Sequence, residues 1–553
     1  MQEVIISILI FLVGISFLII YNKISGEKRL RFWLKQRYGK IPERKDYDFE
    51  KISCYWDNVK DNIPEDEKLD DITWNDLEMN NIFTRINQCN SFTGEQILYS
   101  TLHHTMENTD YVESLEEKIT FFSNNSGARE DTQVFLHAIA KKDGSYSLPL
   151  FLNNLDVVRI SKIWLYRCLQ ILLVASFLPA IISKDPVYLT IPGIVFLINA
   201  AIYTVTRMKY EVYLDSLTSI SGILAVASKI AGLKTVSSEE IFYDFRELTN
   251  HFKKLSNHIG QYQQRKTYTL LGGEIGIIVD YFMGATFIDF IKYDNILRMI
   301  HQNQKQFMEL YHNIGELDMA ISIASFRESI PFYCTPSFQK ERNLQIVEIY
   351  HPLVENPVCN SVGLENNCII TGSNASGKST FIKAVGINSV LAQSIHTCTA
   401  KEFVIPRTRV LTSMAVRDDL MAGESYYIKE IKYLKRIIES LNENRMVICC
   451  IDEILRGTNT EERIAASAAI LRYLDQKNCI AIVASHDIQL LQMLNETYDM
   501  YHFREQIDEK DISFDYKIHE GISYTKNAIN LLQYVDFPNE IIEAAKKNFV
   551  TAM

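Results

Sequence analysis

Hydrophobic and polar positions are laid out in three different ways along this chain. The first is the long uncharged run. Val4 to Tyr21 carries no charged side chain and is long enough, as a helix, to cross a bilayer. The cations Lys23, Lys28, Arg29, Arg31, Lys35, Arg37 and Lys40 follow it, and no small-residue cleavage site comes after it. This pattern predicts a retained anchor, with the N-terminus outside and the chain from Lys23 onward in the cytoplasm. Two further apolar runs, Ile163 to Ser183 and Val187 to Val205, are separated only by a Ser-Lys-Asp-Pro turn. Lys162 and Arg167 flank the entry, Arg207 and Lys209 the exit, so the pair reads as a membrane hairpin with both ends cytoplasmic.

The second pattern is helical spacing. Trp74 to Ile119 and Tyr210 to Phe326 repeat their apolar positions at helical intervals. Within the latter, Tyr268 to Ile291 carries Glu274, Asp280 and Asp289, charges that are costly in a bilayer, so it reads as a soluble core helix or helix pair. Asp46 to Asp71 is polar and acidic and reads as a solvated connector. The third pattern begins after Pro331 and Pro336. From Leu344 to Phe549 short apolar runs alternate with helical ones, which predicts an α/β domain on a largely parallel sheet. The expected organisation is an anchor (1–22), a connector (23–70), a helical region holding the hairpin (71–340) and an α/β domain (341–553).

Composition changes this picture little. Hydrophobic residues make up 47% of the chain and charged residues 23%, which is globular. A net charge of −11 excludes a chain-wide basic coat for nucleic acid. The ten cysteines contain no CxxC pair, and Cys449-Cys450 sit in an apolar run, as expected in a reducing compartment.

The chemistry lies in the α/β domain. Cys368-Ile369-Ile370 leads into Thr371-Gly372-Ser373-Asn374-Ala375-Ser376-Gly377-Lys378-Ser379-Thr380, followed by a helical run from Phe381. Strand, glycine turn and helix in this spacing form a Walker A phosphate loop. The glycines let backbone N–H groups face an anion, and the helix adds its positive end. Lys378 is placed for the β- and γ-phosphates of ATP, and Ser379 for Mg²⁺. Met446 to Ile451 is a doubly buried strand ending in Asp452-Glu453, placed to hold Mg²⁺ and to orient or deprotonate water respectively. Cys479 to Ala484 is a second such strand ending in Ser485-His486-Asp487, with His486 positioned to sense the γ-phosphate.

Together these residues resemble the MutS family of ATPases. The likeness rests on His351-Pro352-Leu353-Val354-Glu355, the Walker A segment, Asp418-Asp419-Leu420, Gly423-Glu424-Ser425, Asp452-Glu453-Ile454 with Arg456-Gly457-Thr458-Asn459-Thr460, and Ser485-His486. Thr93-Gly94 with Ile97-Leu98, and Leu317-Asp318-Met319-Ala320, resemble the start of the family's core domain and the end of its lever helix. The implied fold is a MutS-like P-loop NTPase domain preceded by an all-α core and lever region. The implied activity is ATP hydrolysis with Mg²⁺ at composite sites of a homodimer, where Ser425 approaches the γ-phosphate held by the partner's Lys378. DNA is the partner the family implies, and the tail Phe537-Pro538-Asn539-Glu540-Ile541-Ile542 resembles its dimerising segment.

The chain also departs from the family pattern. An anchor stands where the mismatch-reading domain is usual. Val358 replaces the adenine-stacking aromatic, so Tyr516 is the expected ring. Leu455 stands where glycine is usual. The expectation is a multi-pass membrane ATPase with its catalytic domain in the cytoplasm, moving its helical region on DNA. The rival is an ATP-gated signalling or transport-like machine with no DNA role.

Overall fold

A computed structural model describes residues 21–22, 24–43, 45–139, 141, 143–153, 160, 162–233, 241–256, 284–373, 376–414, 426–441, 445–456, 458–508, 511–522 and 537–551. The Val4–Tyr21 run therefore lies outside the described residues but for Tyr21, as does most of Tyr268–Ile291.

The helical region is built around one seam. Ser91 starts the helix Phe92–Leu102 by accepting a hydrogen bond from the Gly94 N–H, and every residue of that helix is buried. It lies against the long helix Gln304–Glu328. Gly315 makes the close approach possible, since a Cβ there would sit 2.4 Å from Ile97 Cγ1 and 2.8 Å from the Thr93 carbonyl oxygen. Three residues on, the buried Asp318 carboxylate accepts from Asn90 N at 2.9 Å, Ser91 N at 2.7 Å and Ser91 Oγ at 2.5 Å. The two short segments that resembled separate landmarks, Thr93-Gly94 and Leu317-Asp318, are thus the two sides of one contact. Phe83, Phe92, Phe122, Phe307 and Tyr311 fill the core around it.

Residues 46–71 differ from the expected solvated connector. They form the helices Phe49–Ile52 and Cys54–Val59, and bury Ile52, Tyr55, Trp56 and Leu69 in the helical core. The acidic composition hides an apolar face at positions 49, 52, 55, 56 and 59, the spacing of one helix side.

The two apolar runs form an antiparallel pair. The first is broken into Ile163–Ala175 and Leu178–Ser183 beside Pro179, as a mid-helix proline requires. The second does not end at Val205 as expected. Thr190–Ala231 is one helix of 42 residues, about 63 Å long. Beyond Ser219 it buries Ile220, Ile223, Leu224, Ala227 and Ile230 in the helical core. Its first half and its partner turn apolar side chains outward: Ile182 is 79% exposed and Val205 72%, with Ile171, Val174, Leu197 and Met208 alongside. Ile163–Ser183 and Pro186–Tyr210 are long and apolar enough to cross a membrane.

The α/β domain contains ten strands among the described residues: β1 (Ser337–Gln339), β2 (Leu344–Ile349), β3 (Asn360–Leu364), β4 (Cys368–Thr371), β5 (Glu402–Pro406), β6 (Thr408–Ser413), β7 (Met446–Asp452), β8 (Cys479–Ala484), β9 (Asp499–Asp508) and β10 (Asp511–Glu520). The main sheet has the order β10-β9-β4-β8-β7-β6 and is parallel except for β10, which pairs antiparallel to β9. A second sheet, β1-β5-β2-β3, is mixed and was not foreseen. β2 and β3 alternate buried and exposed positions, the signature of a sheet with one wet face, whereas β4 and β8 are buried throughout.

The helix Lys378–Ser394 connects the two halves. Phe381, Ile382 and Val385 pack under the sheets, while Ile387, Val390, Leu391 and Ile395 join the helical core. At the end of Gln304–Glu328, Arg327 grips both Glu116 carboxylate oxygens at 2.7 Å and donates to the His396 carbonyl and Thr397 Oγ1, each at 2.9 Å. Despite the burial of Glu116, these partners hold its carboxyl down at about 2.

Candidate nucleotide site

The site lies at the C-terminal edge of the parallel strands, where open α/β sheets place their ligands. β4 delivers Gly372, at φ +141°, and the loop closes on Gly377, at φ +109°, both in the left-handed region. A Cβ on Gly372 would lie 2.8 Å from Ser376 Oγ and 3.0 Å from the Phe503 carbonyl oxygen, so the loop is also sterically tied to glycine. Lys378 is buried, and its Nζ donates to the carbonyl oxygens of Gly372 at 2.5 Å and Ser373 at 2.8 Å. Ser376 Oγ donates to the same Ser373 oxygen at 2.8 Å. Asn374 and Ala375 lie outside the described residues, as do residues 415–425, which include Ser425.

β7 brings Asp452 to the loop, where its Oδ2 accepts from Ser379 Oγ at 2.5 Å. The next residue, Glu453, is pinned to the neighbouring strand end by its N–H, which donates to the Ala484 carbonyl at 3.1 Å. Its carboxylate faces His486 Nδ1 at 3.4 Å and Arg456 Nε at 2.6 Å, yet Oε2 has no aligned hydrogen bond among the described residues. The hydrogen bond from His486 holds the Glu453 carboxyl below its usual range, and the same bond raises the imidazole. Arg456 N in turn donates to the buried Glu430 Oε1 at 3.0 Å, which fixes the loop after β7.

Beside Gly377 and Thr380 opens a cavity of about 390 Å³. Tyr516 and Val358 both line it, with His351, Asn360 and Phe503. Burial pushes His351 down to about 4, so its imidazole is neutral at physiological pH. Asn360 sets the position of Tyr516: its amide donates to the Tyr516 carbonyl at 3.0 Å and accepts from Ile518 N at 2.8 Å. Tyr516 itself has φ +53°. Sequence reasoning gave Asn360 no role, because its partner lies 156 positions away and no local pattern announces it.

Lys378, Ser379, Asp452, Glu453 and His486, expected from spacing alone to share a site, thus meet at one sheet edge. The donors suit the groups expected there. Ser379 and Asp452 offer the hard oxygens that Mg²⁺ prefers. Ser373 Oγ is buried without a hydrogen-bond partner among the described residues, and the glycines leave the cradle open to an anion.

Comparison with known proteins finds matches over the same domain. The description "MutS domain V" matches residues 368–552. The chain is 33% identical over 274 residues to the DNA mismatch repair protein MutS of Petrotoga mobilis, a match covering 46% of this chain and 32% of the relative. It is 30% identical over 268 residues to the protein of the same name from Pseudothermotoga lettingae, again 46% of this chain and 32% of the relative. The MutS of one Staphylococcus aureus strain is 27% identical over 272 residues, covering 46% and 31%. The chain thus spans about a third of the length of the relatives it matches. The domain that brings a Walker A lysine and a Walker B carboxylate pair to one sheet edge is thus the part of the chain that matches MutS domain V.

Proposed function

We propose that this chain is a membrane-anchored MutS-type ATPase that binds and hydrolyses Mg–ATP at composite sites of a homodimer. The observation that carries the reading is the meeting of Lys378, Ser379, Asp452, Glu453 and His486 beside a cavity large enough for a base. In this reading the backbone of residues 372–380 and Lys378 hold the phosphates, while Ser379 and Asp452 hold Mg²⁺. The metal, when bound, neutralises charge on the phosphates. Glu453 orients the attacking water through its carboxylate, which Arg456 pairs with at Oε2, and His486 keeps the carboxylate ionised by donating to it. Tyr516 and Val358 flank the base. Ser425 completes the partner's site, and the exposed Phe537 and Ile541 support a dimerising tail.

Apolar side chains facing outward along two helices support the anchoring, since a soluble surface seldom exposes a continuous patch of this kind. The expected orientation puts the ATPase domain in the cytoplasm, with residues 4–21 as a third span. The continuous helix Thr190–Ala231 supports a mechanical link from the hairpin to the core, and the bonds of Arg327 to His396 and Thr397 one from the core to the ATPase domain. Lys378→Ala should abolish ATP turnover by the purified full chain; a variant that keeps full affinity and turnover overturns the site. Recovery of the intact chain in the soluble fraction overturns the anchoring.

The relatives' role as DNA mismatch repair proteins favours a second reading, in which the helical region moves on DNA. That reading requires DNA affinity that falls steeply with salt, and no binding at low salt removes it in favour of a membrane machine without a DNA role.

A further inference from the structure

The helical segment 24–37 ends in a turn that walls a second cavity, of about 340 Å³, sharing no residue with the nucleotide site. Arg37, Lys40 and Lys45 line it against a single carboxylate, Glu43, with the amides of Asn87 and Gln88 on the far wall. Cations nearby are paired: Arg31 with Glu27 and Asp131, Lys141 with Glu95. The three in the cavity are not. Arg37 lies over the Trp33 ring at 4.4 Å, and neither it nor Lys40 nor Lys45 makes an ion pair among the described residues. Burial first, and then the charges of Lys141 and Arg37, hold the Lys45 ammonium below its usual range, only partly offset by Glu95 and Glu43. A chain of net charge −11 therefore gathers a local excess of positive charge among the described residues of one concave site.

The cavity is also held rigid. Gly39 N donates to Ser325 Oγ at 2.9 Å and Gln88 N to Ser322 Oγ at 2.7 Å, which ties two of its walls to one side of the helix Gln304–Glu328. Gln88 Nε2 closes it by donating to the Lys40 carbonyl at 2.5 Å. Among the described lining residues, three cations against one carboxylate leave a surplus of two positive charges, and a phosphate monoester carries about −1.5 to −2 at neutral pH. The volume is at the small end of ligand sites, suited to a compact anion rather than a polymer.

We propose that this cavity binds a small phosphate-bearing anion, a phosphate monoester or pyrophosphate group, and that the bound group bridges the basic segment from Arg37 to Lys45 to the Asn87-Gln88 wall. The chemistry is shared by a soluble phosphorylated metabolite and by a monoester lipid headgroup, and the test separates them. The full chain carrying Lys378→Ala, which removes the competing Walker site, is placed in phosphatidylcholine nanodiscs and titrated with inorganic pyrophosphate by calorimetry. Saturable one-to-one binding is expected, weakened at least tenfold by Lys45→Gln and largely restored by Lys45→Arg. Lys40→Gln repeats the measurement at a second exposed cation of the cavity should Lys45→Gln fail to fold. Nanodiscs containing phosphatidic acid that suppress pyrophosphate binding assign the site to a headgroup; unchanged binding assigns it to a soluble ligand. No saturable binding, or binding indifferent to both glutamine variants, overturns the proposal.

Discussion

Leu455 sits two residues after Glu453 in a backbone conformation, φ +56°, that leucine rarely adopts, and its side chain is only 3% exposed in the core under the main sheet. Two effects therefore oppose each other at one position. The left-handed backbone costs about 1–2 kcal/mol for a residue with a Cβ. Burying the leucine side chain contributes about 1.5–3 kcal/mol, and truncating such a side chain to alanine costs about 2–5 kcal/mol because a cavity remains. Packing wins, so glycine, which suits the backbone, should still destabilise the domain, by about 2 kcal/mol once the released strain is credited. Alanine loses the packing and keeps the strain, and should cost about 3 kcal/mol. At about 2–4 °C per kcal/mol for a domain of this size, the expected falls in Tm are about 6 °C for Leu455→Gly and 9 °C for Leu455→Ala. Scanning fluorimetry on the purified full chain reads both. The order is the test: in an ordinary helix or strand alanine is the better tolerated of the two. An alanine variant more stable than the glycine variant would refute the left-handed strain, and a glycine variant as stable as the parent would refute the dominance of packing.

At the helical seam, Gly315→Ala drives a methyl to within 2.4 Å of Ile97 Cγ1 and 2.8 Å of the Thr93 carbonyl oxygen. After a gain of about 1 kcal/mol in helix propensity, a net loss of about 2 kcal/mol should appear as a lower Tm, and unchanged or raised stability contradicts the seam. The Glu453–His486 pair should give a two-sided pH dependence. The imidazole is raised in the folded state, so its contribution is complete below its ordinary value of 6.5 and is lost as pH rises through the folded value. The carboxyl is lowered, so its contribution is complete above 4.5 and is lost as pH falls through the folded value. The pair is thus strongest between about pH 4.5 and 6.5, and His486→Asn should flatten the alkaline limb of the stability profile; a profile identical to the parent's shows that the two groups do not interact.

The residues of the candidate nucleotide site were legible because their geometry is local. Gly372, Gly377 and Lys378 lie within one turn and one helix start, and apolar runs ending in Asp452-Glu453 and Ser485-His486 declare doubly buried strands whose ends share one edge. The apolar helices of the hairpin were legible for a similar reason, since length and hydropathy can be read from a few neighbouring residues. The acidic stretch 46–71 misled because composition was weighed above the spacing of Ile52, Tyr55 and Trp56. The mixed second sheet escaped because its strands are short and one-sided, and they pair across intervals that no periodicity records.

Sequence alone therefore determined the glycine loop with its lysine and the two long apolar helices, both set by spacing along a few neighbouring residues. Only the tertiary structure decided that the second span runs on into the core, that Asn360 aims Tyr516 at the cavity, that Asp318 caps a helix from more than two hundred positions away, and that Arg37, Lys40 and Lys45 share one hollow. Those contacts arise when distant segments bury their apolar faces together, and the polar groups carried along must then find partners wherever packing has left them.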